Sequence, residues 1–317
     1  MDERSGILSE GARRVWRYQR VLWWLFAVNL TLAAFGTLPL SSALRPVTDH
    51  SLHSQNLYRA FDVPTFLDLA SNPDVALWSK FTGSTLFAFI FFAFAFFLTG
   101  GILEAYRTPG KLGTADFFRA CGAFFWRWVR LLIFMLIVLT PIAIAAFAIS
   151  KWSGTLSDDA PQEKLGFWVD VIGFGLVLLL AMLVRLWFDM AQVRAVAEDE
   201  RAMRRTLTRA FRLTFGNLGS LFWLYFRISF LAWLALVAAF WIWLRIPAQD
   251  VGLSFFLLEV VLLWWIGTRL WQRASETVWY ERRAIPPVLV MAPVTMPEVV
   301  SLVPEIPPAP EPPPTET

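Results

Sequence analysis

Six apolar stretches of about 20 residues each alternate with arginine-rich segments, and this alternation constrains the fold more than any other feature. At a rise of about 1.5 Å per residue, a helix of that length crosses the hydrocarbon core of a bilayer. A helix also satisfies its own backbone hydrogen bonds where no water is present to do so. The stretches lie near Val21–Leu40, Phe81–Leu103, Leu131–Ile149, Phe167–Trp187, Arg227–Leu244 and Leu253–Trp271. Composition agrees: 57% of the 317 residues are hydrophobic and 17% are charged. A soluble domain would carry about a quarter charged residues, spread more evenly. The fold class expected is therefore all-α, a polytopic membrane protein with six transmembrane helices and cytoplasmic amphipathic interfacial helices.

Charge gives the orientation. Segments 1–20, 104–130, 185–227 and 269–317 hold 22 of the 28 Lys and Arg. The segments on the other side, 41–80, 150–166 and 245–252, hold six. The positive-inside rule then puts both termini in the cytoplasm of a multi-pass protein of the cell (inner) membrane. The net charge of +3 is explained by topology and by anionic headgroups as partners, so no nucleic-acid partner is expected. The first span follows 20 arginine-rich residues without a clear small-residue cleavage site, so it is expected to be retained.

Three domains are expected: a cytoplasmic amphipathic segment over 1–20, a six-span domain over 21–283, and a tail over 284–317. Eleven of the 19 prolines lie between Pro286 and Pro314, and the tail holds four glutamates and no Lys or Arg. Such a tail cannot bury a core and is expected to be disordered, with polyproline II character. Its Pro304-x-x-Pro307 is a minimal ligand pattern for a protein partner. The outer segment 41–80 is expected to hold one or two short surface helices punctuated by Pro64 and Pro73.

Trp and Arg recur four residues apart at three boundaries: Trp16/Arg20, Trp126/Arg130 and Trp223/Arg227. Each pair shares a helix face and reads as an interfacial anchor, the indole at headgroup depth and the guanidinium reaching phosphate. Arg185-Leu186-Trp187 reappears as Arg269-Leu270-Trp271. A threefold repeat of helical hairpins would explain these strings. Independent use of interfacial Trp and Arg explains them equally and is preferred, because the return from the second span lacks Arg-Leu-Trp.

Within 197–215, Met203, Leu207, Ala210, Phe211 and Thr214 fall at helical spacing, with Arg204, Arg205, Arg209 and Arg212 mostly off that stripe. Glu198, Asp199 and Glu200 are placed at the amino end, where they suit the helix dipole. The segment reads as an amphipathic helix in the inner headgroup plane whose four arginines contact anionic lipid. Phe117, Cys121, Phe124 and Trp128 form a similar stripe. Cys121, the single cysteine, excludes an intramolecular disulfide and reads as a small apolar packing residue.

Chemistry-bearing residues are few. Asp49-His50-x-x-His53 offers a carboxylate and two imidazoles, but no cysteine or third histidine completes the set, so no metal and no cofactor is expected. No phosphate-binding loop, dinucleotide fingerprint or nucleophile elbow is present, so no enzyme is expected. Ionisable groups inside spans are the better candidates, because burying charge in lipid is expensive. Glu259 is the deepest, Asp170 lies nearer an outer edge, and Asn29 is placed to hydrogen-bond between helices. Arg185 and Asp189 lie one turn apart and can pair locally. Thr140-Pro141 and Thr99-Gly100-Gly101 are the candidate helix interruptions.

The stretches Phe117-Phe118-Arg119-Ala120 through Trp126 and Asp189 through Asn217 carry a pattern of the type Phe-x-Arg-Ala-x4-Phe ahead of odd-numbered spans. In this the chain resembles a broad bacterial group of six-helix membrane domains of poorly characterised role, found alone or fused to glycerophosphodiester phosphodiesterases. The resemblance covers about a quarter of the chain, implies the same six-span fold and a bacterial origin, and transfers no catalytic residue. The function expected is a non-catalytic scaffold or lipid- and partner-interacting membrane protein. The alternative is a small transporter or permease using Glu259.

Overall fold

A computed structural model describes residues 6–48, 64, 71, 77–159, 164–247 and 250–284. Among them are eight helices and no strand. These are α1 (Ile7–Arg17), α2 (Gln19–Thr48), α3 (Leu77–Arg107), α4 (Thr114–Asp159), α5 (Lys164–Ala197), α6 (Met203–Gly216), α7 (Leu218–Trp243) and α8 (Val251–Arg283). Six of them, α2, α3, α4, α5, α7 and α8, are long and apolar enough to cross a membrane. The chain is an all-α polytopic membrane protein. Asp49, His50, His53 and the tail from residue 285 lie outside the described residues.

The helices pack tightly at their arginine-rich ends. Leu98 to Tyr106 of α3, Phe117 to Leu131 of α4, Leu186 to Val196 of α5 and Ile266 to Tyr280 of α8 supply most of the buried side chains. Toward the opposite end, large apolar residues such as Phe89, Ile137, Ile172, Val237 and Phe256 are exposed. The distribution follows the solvent. Water drives apolar side chains together at about 1.5–3 kcal/mol for each large one buried. Lipid tails are as apolar as leucine and supply no such force.

Two apolar clusters fill the packed end. One joins Phe124 and Trp128 of α4, Leu186 and Met190 of α5, Leu221 of α7 and Trp279 of α8. The other joins Tyr18, Val21 of α2, Leu98 of α3, Phe117 and Cys121 of α4, and Leu270 of α8. Both α4 and α8 contribute to each cluster.

Several expectations are corrected here. The stripe Phe117, Cys121, Phe124, Trp128 does not belong to a separate in-plane helix; α4 runs unbroken from Thr114 through the third span. All four residues are buried in protein. The α6 stripe is likewise packed on protein, with Met203, Leu207, Ala210 and Thr214 buried and Phe211 exposed. Each stripe met a facing helix before it could meet lipid. The acidic trio 198–200 precedes α6 rather than forming its first turn. It sits in a tight connection in which Asp199 has a positive φ of 45°, and it ties three helices together. Tyr280 Oη donates to Glu198 Oε1 at 2.6 Å, Arg127 pairs with Asp199 at 2.6 Å, and Thr206 Oγ1 donates to Glu200 Oε2 at 3.0 Å.

Neither candidate interruption breaks a helix. α4 continues through Pro141, where Thr140 Oγ1 donates to the Leu136 carbonyl at 2.8 Å. α3 continues through Gly100 and Gly101, whose role is close approach. A Cβ on Gly101 would lie 2.6 Å from Cys121 Sγ and 2.8 Å from the Phe117 carbonyl oxygen.

Candidate functional site

Among the described residues, two concave regions of several hundred Å³ are lined by arginines. The first is a cavity of about 600 Å³ between α5, α7 and α8. Its walls include Leu179, Met182, Ile228, Trp233 and Trp265, and its polar end carries Arg185, Arg269, Tyr225 and Gln272. Leu179, Trp233 and Trp265 are exposed on the span surfaces, so the cavity opens sideways onto the surface that hydrocarbon would cover. At the polar end, Tyr225 Oη donates to Asp189 Oδ2 at 3.0 Å and Arg185 Nε lies 3.6 Å from the same oxygen. Gln272 Nε2 donates to Glu276 Oε1 at 3.1 Å one turn deeper. The Arg269 guanidinium lies 5.4 Å from the Trp265 ring centroid and has no carboxylate partner among the described residues.

The two Arg-Leu-Trp strings explain why these arginines meet. Leu186 and Leu270 are buried, and each following indole caps a backbone carbonyl of a neighbouring helix. Trp187 Nε1 donates to Leu207 of α6 at 2.9 Å, and Trp271 Nε1 donates to Leu8 of α1 at 2.8 Å. The same local pattern holds a returning span against the short amphipathic helix in both places, and it turns both arginines into the cavity. The sequence signal was visible, but which surface the arginines faced was not.

The second region is an arginine face at the junction of α4 and α6. Arg130, Arg201, Arg204 and Arg205 surround a groove of about 530 Å³ whose wall includes Ile133 and Phe134. A shallow trough of about 400 Å³ continues along α6 between Arg204, Arg205, Arg209 and Arg212. All four predicted α6 arginines are exposed. Arg209 lies 3.6 Å from Glu200. The others, with Arg130 and Arg201, have no acidic partner among the described residues.

A third polar cluster is structural. Arg14 of α1 is buried and forms a bidentate contact with Glu281 of α8, at 3.1 and 2.7 Å, while also donating to the Tyr106 carbonyl at 2.6 Å. Burial is the largest influence on this guanidinium and disfavours its charge. The bonds and charge of Glu281 and Glu10 outweigh it and hold the group above its ordinary pKa.

The remaining predicted residues are scattered. Glu259 is half-buried on α8, and its Oε2 is shielded without a hydrogen-bond partner. Asp170 is exposed on α5. Asn29 is half-buried on α2 and makes no hydrogen bond among the described residues, so the expected interhelical bond is not formed. Trp16, Trp126 and Trp223 are exposed. Arg227 lies 5.0 Å from the Trp223 ring centroid, in keeping with a shared face. Arg20 differs from expectation: it donates to the Leu112 carbonyl at 2.5 Å, satisfied by the α3–α4 connection rather than by phosphate. Cys121 is free and buried. No cluster of three metal-ligating side chains occurs among the described residues.

No family model, no curated protein and no solved structure matches the chain.

Proposed function

We propose that the protein is a non-catalytic integral membrane protein that binds anionic lipid headgroups through the arginine face of α4 and α6. The observation that carries this reading is the set of exposed guanidiniums without acidic partners among the described residues, Arg130, Arg201, Arg204, Arg205 and Arg212, beside the apolar Ile133 and Phe134. Cations with apolar side chains beneath them suit a phosphate above and glycerol or acyl carbon below. In this reading the arginine-rich end and both termini are cytoplasmic in an inner membrane. The proline-rich tail is left to engage a protein partner. The likeness of residues 117–126 and 189–217 to bacterial six-helix membrane domains gives the proposed origin.

Titration of the detergent-solubilised protein with fluorescent phosphatidylglycerol tests the reading. Each arginine near a headgroup contributes on the order of 1 kcal/mol, so replacing Arg204, Arg205, Arg209 and Arg212 with Gln is expected to weaken binding at least about tenfold at low salt. The binding that remains should fall less steeply with added salt. Equal affinity in parent and variant would refute the lipid role of α6.

A second reading rests on the shielded, unpartnered Oε2 of Glu259. A carboxylate so placed suits a small transporter in which it takes up a proton or cation. Flux in proteoliposomes should then vanish in Glu259→Gln with folding intact, and unchanged flux would remove this reading.

A further inference from the structure

The cavity between α5, α7 and α8 is apolar along its length and cationic at one end. We propose that it is a binding site for one anionic phospholipid, distinct from the arginine face. One acyl chain would lie against Leu179, Met182, Ile228 and Trp233, with the phosphate on Arg185 and Arg269. Three observations support this. The rim residues Leu179 and Trp233 are 47% and 58% exposed, so a chain can slide in from the surrounding hydrocarbon without crossing a polar barrier. At about 600 Å³ the space lies in the range of small-ligand cavities.

Charge supplies the third. Two polar donors inside the site are already committed, Tyr225 to Asp189 and Gln272 to Glu276. Thr268 Oγ1 donates to the Trp265 carbonyl of its own helix. Among the described residues Asp189 is the one carboxylate paired with Arg185, at 3.6 Å, and it shares the oxygen involved with Tyr225. Arg269 has a tryptophan face and no anionic partner among the described residues. A half-buried guanidinium in that position lacks a counter-charge, and a lipid phosphate has the charge, the depth and the bidentate geometry to supply it. A choline headgroup would bring a second cation to the same place and fit less well.

The test uses the full-length protein reconstituted with phospholipid carrying a photoactivatable acyl chain, and locates the cross-links by peptide mass spectrometry. Phosphatidylglycerol is expected to label residues 175–182 and 228–233, and phosphatidylcholine at least about tenfold less. Gly175 lines the cavity, and a Cβ there would meet nothing within 4 Å. Gly175→Leu should therefore fill the space without disturbing the helix, and it should abolish labelling at a Tm no lower than the parent's. Arg269→Gln should reduce labelling about fivefold. The four-arginine variant of α6 should label as the parent does, which separates failure of this site from failure of the α6 face. Equal labelling by both lipids, or full labelling of Gly175→Leu, would overturn the proposal.

Discussion

Arg13 and Arg14 are neighbours on α1 with opposite fates. The Arg13 side chain is 59% exposed and lies 3.5 Å from Glu10. Arg14 is buried between Glu281 and the Tyr106 carbonyl. An exposed pair contributes about 0–1 kcal/mol, whereas removing one partner of a buried pair costs about 3–5 kcal/mol. Arg14→Ala is therefore expected to lower Tm in detergent by several degrees, and Arg13→Ala to leave it nearly unchanged. Arg14→Lys should rescue only part of the loss, since an ammonium cannot make the bidentate contact with Glu281. A shared Tm for Arg14→Ala and the parent would show that α1 is not fastened to α8 through this pair. Nothing in the run Gly11-Ala12-Arg13-Arg14-Val15 distinguishes the two arginines. The distinction comes from Glu281, which is 267 residues away.

At the scale of elements, the amphipathic pattern was read correctly as helix and incorrectly as lipid-facing. Periodicity reports that one face is apolar but not what covers it. In α6 the covering is protein, chiefly α5. Leu207 is 8% exposed and Phe211 is 44% exposed on the same helix. Leu207→Ala is expected to cost about 2–5 kcal/mol, and Phe211→Ala well under half as much. Thermal unfolding followed by circular dichroism would measure both. Equal small losses would mean that α6 rests on the bilayer rather than on the bundle. A second element went unread: residues 272–283 were placed beyond the end of the sixth span, yet α8 continues through them to Arg283 and buries Gln272 and residues 274–280. Its signal was present in Ile266, Leu270, Ala274 and Val278, spaced one helical turn apart and all buried. It was masked by Gln272, Arg273, Ser275 and Glu276, which lower the hydropathy below that of a span.

For the whole molecule, the arginine-rich ends converge and the apolar ends present large side chains outward. If the positive-inside rule sets the orientation, a reporter fused after Arg283 should be active in the cytoplasm. A reporter placed between Leu244 and Val251 should be active on the other side. Reversed activities would invert the topology and move the arginine face to the opposite leaflet. Cys121 offers an independent check of packing at the converged end. Being buried against α3, it should resist maleimide in the folded protein and react on denaturation.

The sequence by itself determined the all-α class, the six spans, and which ends carry the cations. These follow from local quantities: hydropathy over a window, helical period, and charge counted along the chain. It also showed the four exposed arginines of α6, because off-stripe cations on an amphipathic helix have few alternatives to solvent or headgroup. Only the tertiary structure decided what each apolar stripe covers, that Arg14 is buried and Arg13 is not, and that Gly100-Gly101 is a contact surface rather than a break. It alone brought Arg185 and Arg269, 84 positions apart in the chain, to one cavity. Those outcomes depend on which helices become neighbours. Neighbour choice is set by packing among residues distant in sequence, at the end of the molecule where burial from water supplies the driving force.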